Sequence, residues 1–133
     1  MRKTTVQLEP MSYAMTEEMK TLRTNILFCG NDKKVITVTS CVMGEGKTKI
    51  SIQLATSLVE LKKRVLLIDA DLRKSVMTSR LKATGVDKGL THFLSGQCSL
   101  ADVVLATNIP GFHVSTSVCT SPEPVALATD FTL

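Results

Sequence analysis

The sequence predicts an α/β protein with a doubly wound parallel sheet that is incomplete at its C-terminal end. Three neighbouring segments indicate this fold class. Residues 35–39 are rich in β-branched side chains and alternate in polarity, residues 47–62 have helical periodicity, and residues 65–68 form an apolar run too short for a helix. Such a run is typical of a strand buried on both faces of a parallel sheet. Together the segments predict a βαβ unit, whose crossover is right-handed in nearly all proteins.

The composition is that of one ordinary globular domain. The chain has 133 residues, of which 44% are hydrophobic and 21% charged. No apolar run approaches the ~20 residues of a membrane-spanning helix, and the N-terminus lacks the apolar core of a signal peptide. The four cysteines show neither a C-x-x-C pair nor metal-ligand spacing, which indicates reduced thiols. We therefore expect a cytoplasmic protein.

The charge pattern does not favour nucleic acid as a partner. The net charge is +4, but the basic residues are dispersed in short groups. One tyrosine, four phenylalanines and no tryptophan leave little aromatic surface on which bases could stack. We predict no nucleic-acid partner.

The single predicted domain divides into three parts. Residues 1–15 form a polar leader, residues 16–30 a helix capped by Thr16, and residues 35–133 a partial nucleotide-binding core. Further along the chain, the pattern predicts short helices at 89–94 and 99–105, a turn at 110–111 and a strand at 112–115.

A phosphate-binding pattern follows the first predicted strand. Such a loop needs glycines that turn backbone N–H groups inward, a lysine that reaches the β and γ phosphates, and a hydroxyl for Mg²⁺. Gly44, Gly46, Lys47 and Thr48 supply these in order, although Cys41 stands where G-x-x-x-x-G-K-[ST] begins with glycine. The residues predicted to bind the nucleotide are Met43, Gly44, Glu45, Gly46, Lys47, Thr48 and Lys49.

Two carboxylates, Asp69 and Asp71, follow directly on the second predicted strand. Ligands bind at the carboxyl ends of the strands in a parallel sheet, so both aspartates are expected beside Thr48. The alternative is a pair of solvated turn residues, or Asp71 paired with Arg73. With the phosphate loop next to them, we favour a metal site formed by Thr48, Asp69 and Asp71.

These motifs resemble those of the bacterial tyrosine kinases of capsule and exopolysaccharide biosynthesis. That family carries a Walker A loop and a Walker A′ segment of the form apolar-Asp-x-Asp-x-Arg. The similarity runs from about Thr16 to about Leu127. It rests on segments 17–25, 39–40, 44–48, 68–74, 89–96 and 99–104.

The resemblance implies an ATP- and Mg²⁺-dependent protein-tyrosine autokinase with P-loop NTPase-like architecture that regulates capsular or exopolysaccharide biosynthesis. Lys47 would act on the phosphates, Thr48 on the metal, and Asp69 and Asp71 on the metal and the tyrosine proton. It further implies the stand-alone type, which is activated by the cytoplasmic tail of a membrane-embedded polysaccharide copolymerase and works at the inner face of the plasma membrane.

The sequence departs from the family pattern at several points. Met43 replaces the usual proline, and the oligomer-forming pattern Glu-x-x-Arg-x-x-Arg is present as Glu17, Lys20 and Arg23. A strand ending in the Walker B aspartate and a tyrosine-rich tail do not occur, and Tyr13 is the single tyrosine. We interpret the chain as the N-terminal part of such a kinase, which retains nucleotide binding but not full kinase activity.

Two other interpretations compete with this one. A cell-positioning or plasmid-partition ATPase of the MinD/ParA type shares the fold, but it needs a lysine where Met43 stands, and Asp-x-Asp-x-Arg points away from it. A non-catalytic adaptor that keeps the fold would bind no nucleotide, and Mg²⁺ with an ATP analogue would then leave its thermal stability unchanged.

Overall fold

The architecture is taken from a computed structural model, which describes residues 2–30, 35–38, 46–70, 77–86 and 88–116. Within these ranges, the structure has five helices and four short strands. In order they are β1 (Arg2–Lys3), α1 (Tyr13–Phe28), α2 (Lys47–Glu60), β2 (Val65–Ile68), α3 (Met77–Leu81), α4 (Leu90–Leu94), α5 (Leu100–Val103), β3 (Leu105–Ala106) and β4 (Phe112–Ser115).

The described strands form one mixed sheet in the order β1-β3-β4-β2. β2 runs parallel to β4, with Val65 opposite Phe112, and β1 runs parallel to β3. β3 and β4 are antiparallel, so the sheet is not parallel throughout as predicted. The reason is the predicted turn at 110–111, where Gly111 has a φ of 83° and folds β4 back on β3 as a hairpin.

Two expectations about the first βαβ unit need correction. Residues 35–38 of the predicted strand are not part of a strand, and Val35 is 71% exposed. A β-branched alternating run has the same pattern whether or not another strand pairs with it, so the sequence alone cannot decide this. β2 is also not buried on both faces, because Leu66 is 44% exposed.

The hydrophobic core lies between α2, α3 and one face of the sheet. Phe112, Val114 and Leu81 are no more than 1% exposed. Burial of each such side chain stabilises the fold by about 1.5–3 kcal/mol. The buried cluster consists of Val6, Ile52, Ala55, Met77, Leu81, Leu105, Phe112 and Val114.

The segment before α1 is an integral part of this core. Val6 is 3% exposed, and its amide donates to Oδ1 of Asn108 at 2.8 Å. The Thr4 hydroxyl donates to the carbonyl of Thr84 at 2.7 Å, and the Thr84 amide donates back to that hydroxyl at 3.1 Å. The polar leader is thus fastened to the sheet and to the loop that follows α3.

Helix α1 begins earlier than the sequence suggests. Ser12 is the N-cap, and its Oγ accepts a hydrogen bond from the amide of Met15 at 3.1 Å. The predicted cap, Thr16, instead lies in the helix and donates its hydroxyl to the Ser12 carbonyl at 2.9 Å. Both residues are good caps, and the structure places the earlier one at the boundary.

The two short helices in the second half agree with prediction at their N-termini. Ser99 is the N-cap of α5, and both its amide and its hydroxyl donate to the Asp102 carboxylate. These two hydrogen bonds lower the pKa of Asp102 below its usual value. Leu105, expected in this helix, belongs to β3 instead. No helix within the described ranges is long and apolar enough to cross a membrane.

Candidate functional site

The start of α2 has the geometry expected of the end of a phosphate loop. Gly46 is its N-cap and has a φ of 80° and a ψ of 20°, a left-handed conformation that L side chains rarely adopt. The first backbone bond of the helix runs from the Ile50 amide to the Gly46 carbonyl at 2.9 Å. The amides of Lys47, Thr48 and Lys49 therefore have no acceptor within the helix, as in the first turn of any α-helix.

This first turn is electrostatically positive. Lys47 and Lys49 are exposed, Thr48 is half-buried, and no acidic residue compensates them within the turn. The helix dipole adds about half a positive charge at the same end. Unpaired N–H groups, the dipole and a lysine together form a binding site for an anion such as phosphate.

The carboxyl end of β2 lies at the same edge of the domain as this turn. α2 packs on β2, and a short connection at 61–64 joins the end of the helix to the start of the strand. The helix and the strand therefore run in opposite directions. Asp69, half-buried, follows β2 directly, and its amide donates to the Ser115 carbonyl at 2.9 Å.

Part of the sequence-predicted site lies outside the described residues, namely Cys41, Met43, Gly44, Glu45 and Asp71. The structure describes Gly46, Lys47, Thr48, Lys49 and Asp69.

Two hydroxyl groups that sequence reasoning missed lie at the carboxyl end of β4. Ser115 is 2% exposed and Thr116 is 1% exposed. Neither hydroxyl has a hydrogen-bond partner in the described part of the chain. Since β4 is parallel to β2, Ser115 and Thr116 lie at the same sheet edge as Asp69. Ser115 is the last residue of the predicted strand and Thr116 follows it, so the sequence indicates their place at a strand end but not their burial.

The described oxygen ligands suit a magnesium ion that is bound together with a nucleotide. Mg²⁺ prefers carboxylate and hydroxyl oxygens and is usually held by one or two protein ligands plus substrate phosphates. Thr48 and Asp69 provide one hydroxyl and one carboxylate at this edge. The described residues contain no cluster of three or more acidic, histidine or cysteine side chains that could hold a metal unaided.

The predicted oligomerisation residues make contacts within the chain. Nη1 of Arg23 donates to the Ser57 carbonyl at 2.9 Å, to the Ser57 hydroxyl at 3.1 Å and to the Glu60 carboxylate at 3.2 Å. Its side chain is 14% exposed. Glu17 and Lys20 form an exposed pair at 3.3 Å on α1. Arg23 thus fastens α1 to the last turn of α2.

Comparisons with known proteins point in one direction. A family described as "AAA domain" matches residues 33–121. Tyrosine-protein kinase CpsD of Streptococcus agalactiae is 47% identical over 113 residues, which cover 84% of this chain and 49% of CpsD. The chain thus spans about half the length of that relative.

Solved structures agree with the sequence comparison. The BceF tyrosine kinase domain superposes with a TM-score of 0.73 at 34% identity, over 84% of this chain and 45% of that one. The kinase domain of the Escherichia coli tyrosine kinase ETK gives a TM-score of 0.76 at 30% identity, over 84% of this chain and 44% of that one. These similarities confirm the P-loop NTPase-like α/β fold.

Proposed function

Because the chain belongs to the AAA domain family and, within it, to the bacterial tyrosine kinases, we propose that it binds ATP with Mg²⁺ as the nucleotide-binding part of a protein-tyrosine kinase. The observation that carries the proposal is the first turn of α2. Gly46 there adopts a left-handed conformation, Lys47 is exposed, and Asp69 lies at the same edge of the domain.

The described residues would take distinct roles in binding. The free amides of the first turn of α2 and the Lys47 ammonium would hold the phosphates, and the Thr48 hydroxyl and Asp69 carboxylate would hold Mg²⁺. Phosphoryl transfer depends mainly on positioning and charge neutralisation, so few groups are needed. When bound, Mg²⁺ neutralises charge on the β and γ phosphates.

The remaining assignments come from the resemblance. Met43, Gly44 and Glu45 would complete the loop. Asp71 would be the second carboxylate of the metal site and would accept the tyrosine proton. The cellular process would be capsular or exopolysaccharide biosynthesis. The partner would be a membrane-embedded copolymerase, which would hold the chain at the inner face of the plasma membrane.

The geometry gives less support to oligomer formation through Glu17, Lys20 and Arg23 than to the nucleotide-binding assignments. The Arg23 guanidinium already donates three hydrogen bonds to α2, which leaves Glu17 and Lys20 as the exposed members of the pattern. An oligomer formed by α1 would therefore use these two side chains, whereas Arg23 would act within each protomer.

The experiment that tests this function incubates the chain with ATP, Mg²⁺ and a tyrosine-containing peptide. We expect nucleotide binding that Lys47→Met removes, with little phosphotyrosine from this chain alone. Abundant phosphotyrosine that Lys47→Met abolishes would identify a complete kinase and overturn the expectation of incomplete activity. Phosphate release stimulated by DNA or lipid, without phosphotyrosine, would support the positioning ATPase, and absence of nucleotide binding would support the adaptor.

A further inference from the structure

A cavity of about 130 Å³ lies between the segment before α1, helix α2 and helix α3. Its apolar lining includes Leu8, Met11, Ile52 and Leu81. An apolar cavity of about 150 Å³ in another protein binds benzene, so there is room here for the body of one six-membered ring. Lys47, Thr48 and Asp69 do not contribute to the lining, so the cavity shares only Lys49 with the candidate nucleotide site.

One buried polar side chain in the lining has an unused hydrogen-bonding group. Gln53 is 7% exposed, and its Oε1 has no hydrogen-bond partner in the described part of the chain. Oε1 itself has almost no accessible surface, but rotation of the side-chain amide exchanges Oε1 with the Nε2 group, so a ligand would bind whichever end faces the cavity. A hydroxyl can both donate and accept, and it therefore pairs with either end of the Gln53 amide.

The charges around the cavity favour an anion. Lys49 and Arg80 contribute two cations to the lining, and Glu9 and Glu60 contribute two carboxylates. Glu60 is already paired with Arg23 at 3.2 Å, which leaves two cations against one carboxylate among the described lining residues. The planar fork of an arginine matches a carboxylate well. The Lys49 side chain lines this cavity, while the Lys49 amide belongs to the first turn of α2 that is predicted to contact the nucleotide.

The spacing along α2 sets the length of the ligand. Lys49 and Gln53 are four residues apart and so lie on the same face of the helix, separated by about 6 Å along its axis. A benzene ring with a carboxylate at one end and a hydroxyl at the other spans a similar distance. We propose that the cavity binds a small aromatic carboxylate with a hydroxyl opposite the acid group, the carboxylate near Lys49 and Arg80 and the hydroxyl at Gln53.

The first test titrates the full chain with 4-hydroxybenzoate and follows backbone amides by NMR. We expect saturable shifts at Ile52, Gln53 and Leu81, and little change at Lys47 and Thr48. Benzoate lacks the hydroxyl and 4-hydroxybenzyl alcohol lacks the carboxylate, so each should bind about tenfold more weakly. Equal affinity for the three compounds, or shifts confined to Lys47 and Thr48, would refute the proposal.

Matched variants locate the contacts. Arg80→Gln should weaken 4-hydroxybenzoate about tenfold, while Arg64→Gln, an exposed arginine outside the lining, should leave the affinity unchanged. Gln53→Met should remove the preference for 4-hydroxybenzoate over benzoate. Lys47→Met should bind like the wild type, because the site does not depend on the phosphate loop. Equal weakening by Arg80→Gln and Arg64→Gln would show a non-specific charge effect and contradict the assignment.

Discussion

At the level of single residues, Gly46 of the phosphate-loop pattern is required because the backbone there adopts a left-handed conformation. Its φ of 80° is costly for any residue with a Cβ, yet a Cβ built there would meet no atom of the described residues within 4 Å. The glycine is therefore required by backbone conformation and not by packing. In the proposed complex, the open space beside Gly46 is where the phosphates approach.

Gly46→Ala should accordingly destabilise the fold by about 1–2 kcal/mol and weaken nucleotide binding. Gly85→Ala is the matched control, because Gly85 has a φ of 66° and is equally unobstructed. We expect both variants to lower the midpoint of urea unfolding by similar amounts, and only Gly46→Ala to lose affinity for Mg²⁺ and an ATP analogue. If Gly85→Ala loses affinity equally, the effect arises from stability alone.

Other residues show where the sequence was insufficient. Gly46, Lys47, Thr48 and Asp69 follow a known pattern of spacing, so their shared edge could be predicted. Ser115 and Thr116 could not be identified as candidate site residues from the sequence. Their hydroxyls are notable because they are buried without a partner in the described part of the chain, and burial is a property of the folded protein.

At the level of elements, α2 and β2 were predictable because local pattern determines them. The bounds of β2, Val65–Ile68, agree with prediction, and α2 ends two residues before its predicted end. The apolar stripe of α2 packs inward only in part, since Leu54 is 6% exposed but Ile50 is 38% exposed. The buried residues of α2 include Ser57, whose hydroxyl accepts a hydrogen bond from Arg23 of α1.

Because Arg23 contacts α2 and Lys20 does not, we predict that replacing Arg23 lowers the free energy of unfolding more than replacing Lys20. Arg23→Ala should destabilise the fold by about 1.5–3 kcal/mol, because it leaves the buried Ser57 hydroxyl and carbonyl without their charged donor. The Leu61 amide donates to the Leu58 carbonyl, so it is not available to replace Arg23 as a donor to the Ser57 carbonyl. Chemical denaturation measures the effect.

Lys20→Ala is the control for that measurement. Lys20 and Glu17 have side chains 46% and 48% exposed, and such pairs contribute about 0–1 kcal/mol. Equal losses in the Arg23 and Lys20 variants would contradict the assignment of Arg23 as the contact that fastens α1 to α2.

At the level of the whole molecule, the sheet depends on contacts that no local pattern reveals. β1 pairs with β3, and Val6 bonds to Asn108, across about a hundred positions of sequence. Sequence periodicity identifies which residues form a strand, but it carries no record of partners so distant. For this reason the sequence predicted that the N-terminal segment is a polar leader and that the sheet is entirely parallel.

Asn108 provides a test of this long-range closure. Asn108→Ala removes the acceptor for the Val6 amide and should destabilise the fold by about 1–3 kcal/mol, with faster hydrogen exchange at that amide. Asn108→Asp keeps an acceptor oxygen and should stay close to the wild type. Exchange at Val6 that is fast in the wild type would show that the segment is not fastened as described.

The most direct test of the central claim, that the first turn of α2 holds the phosphates of Mg²⁺-bound ATP, is calorimetric titration of the full chain with a non-hydrolysable ATP analogue and Mg²⁺. We predict saturable binding by the wild type and by Lys63→Met, which replaces an exposed lysine in the connection between α2 and β2. Lys47→Met should bind at least about tenfold more weakly, a loss of about 1.4 kcal/mol. No binding by the wild type, or equal binding by Lys47→Met, would contradict the claim.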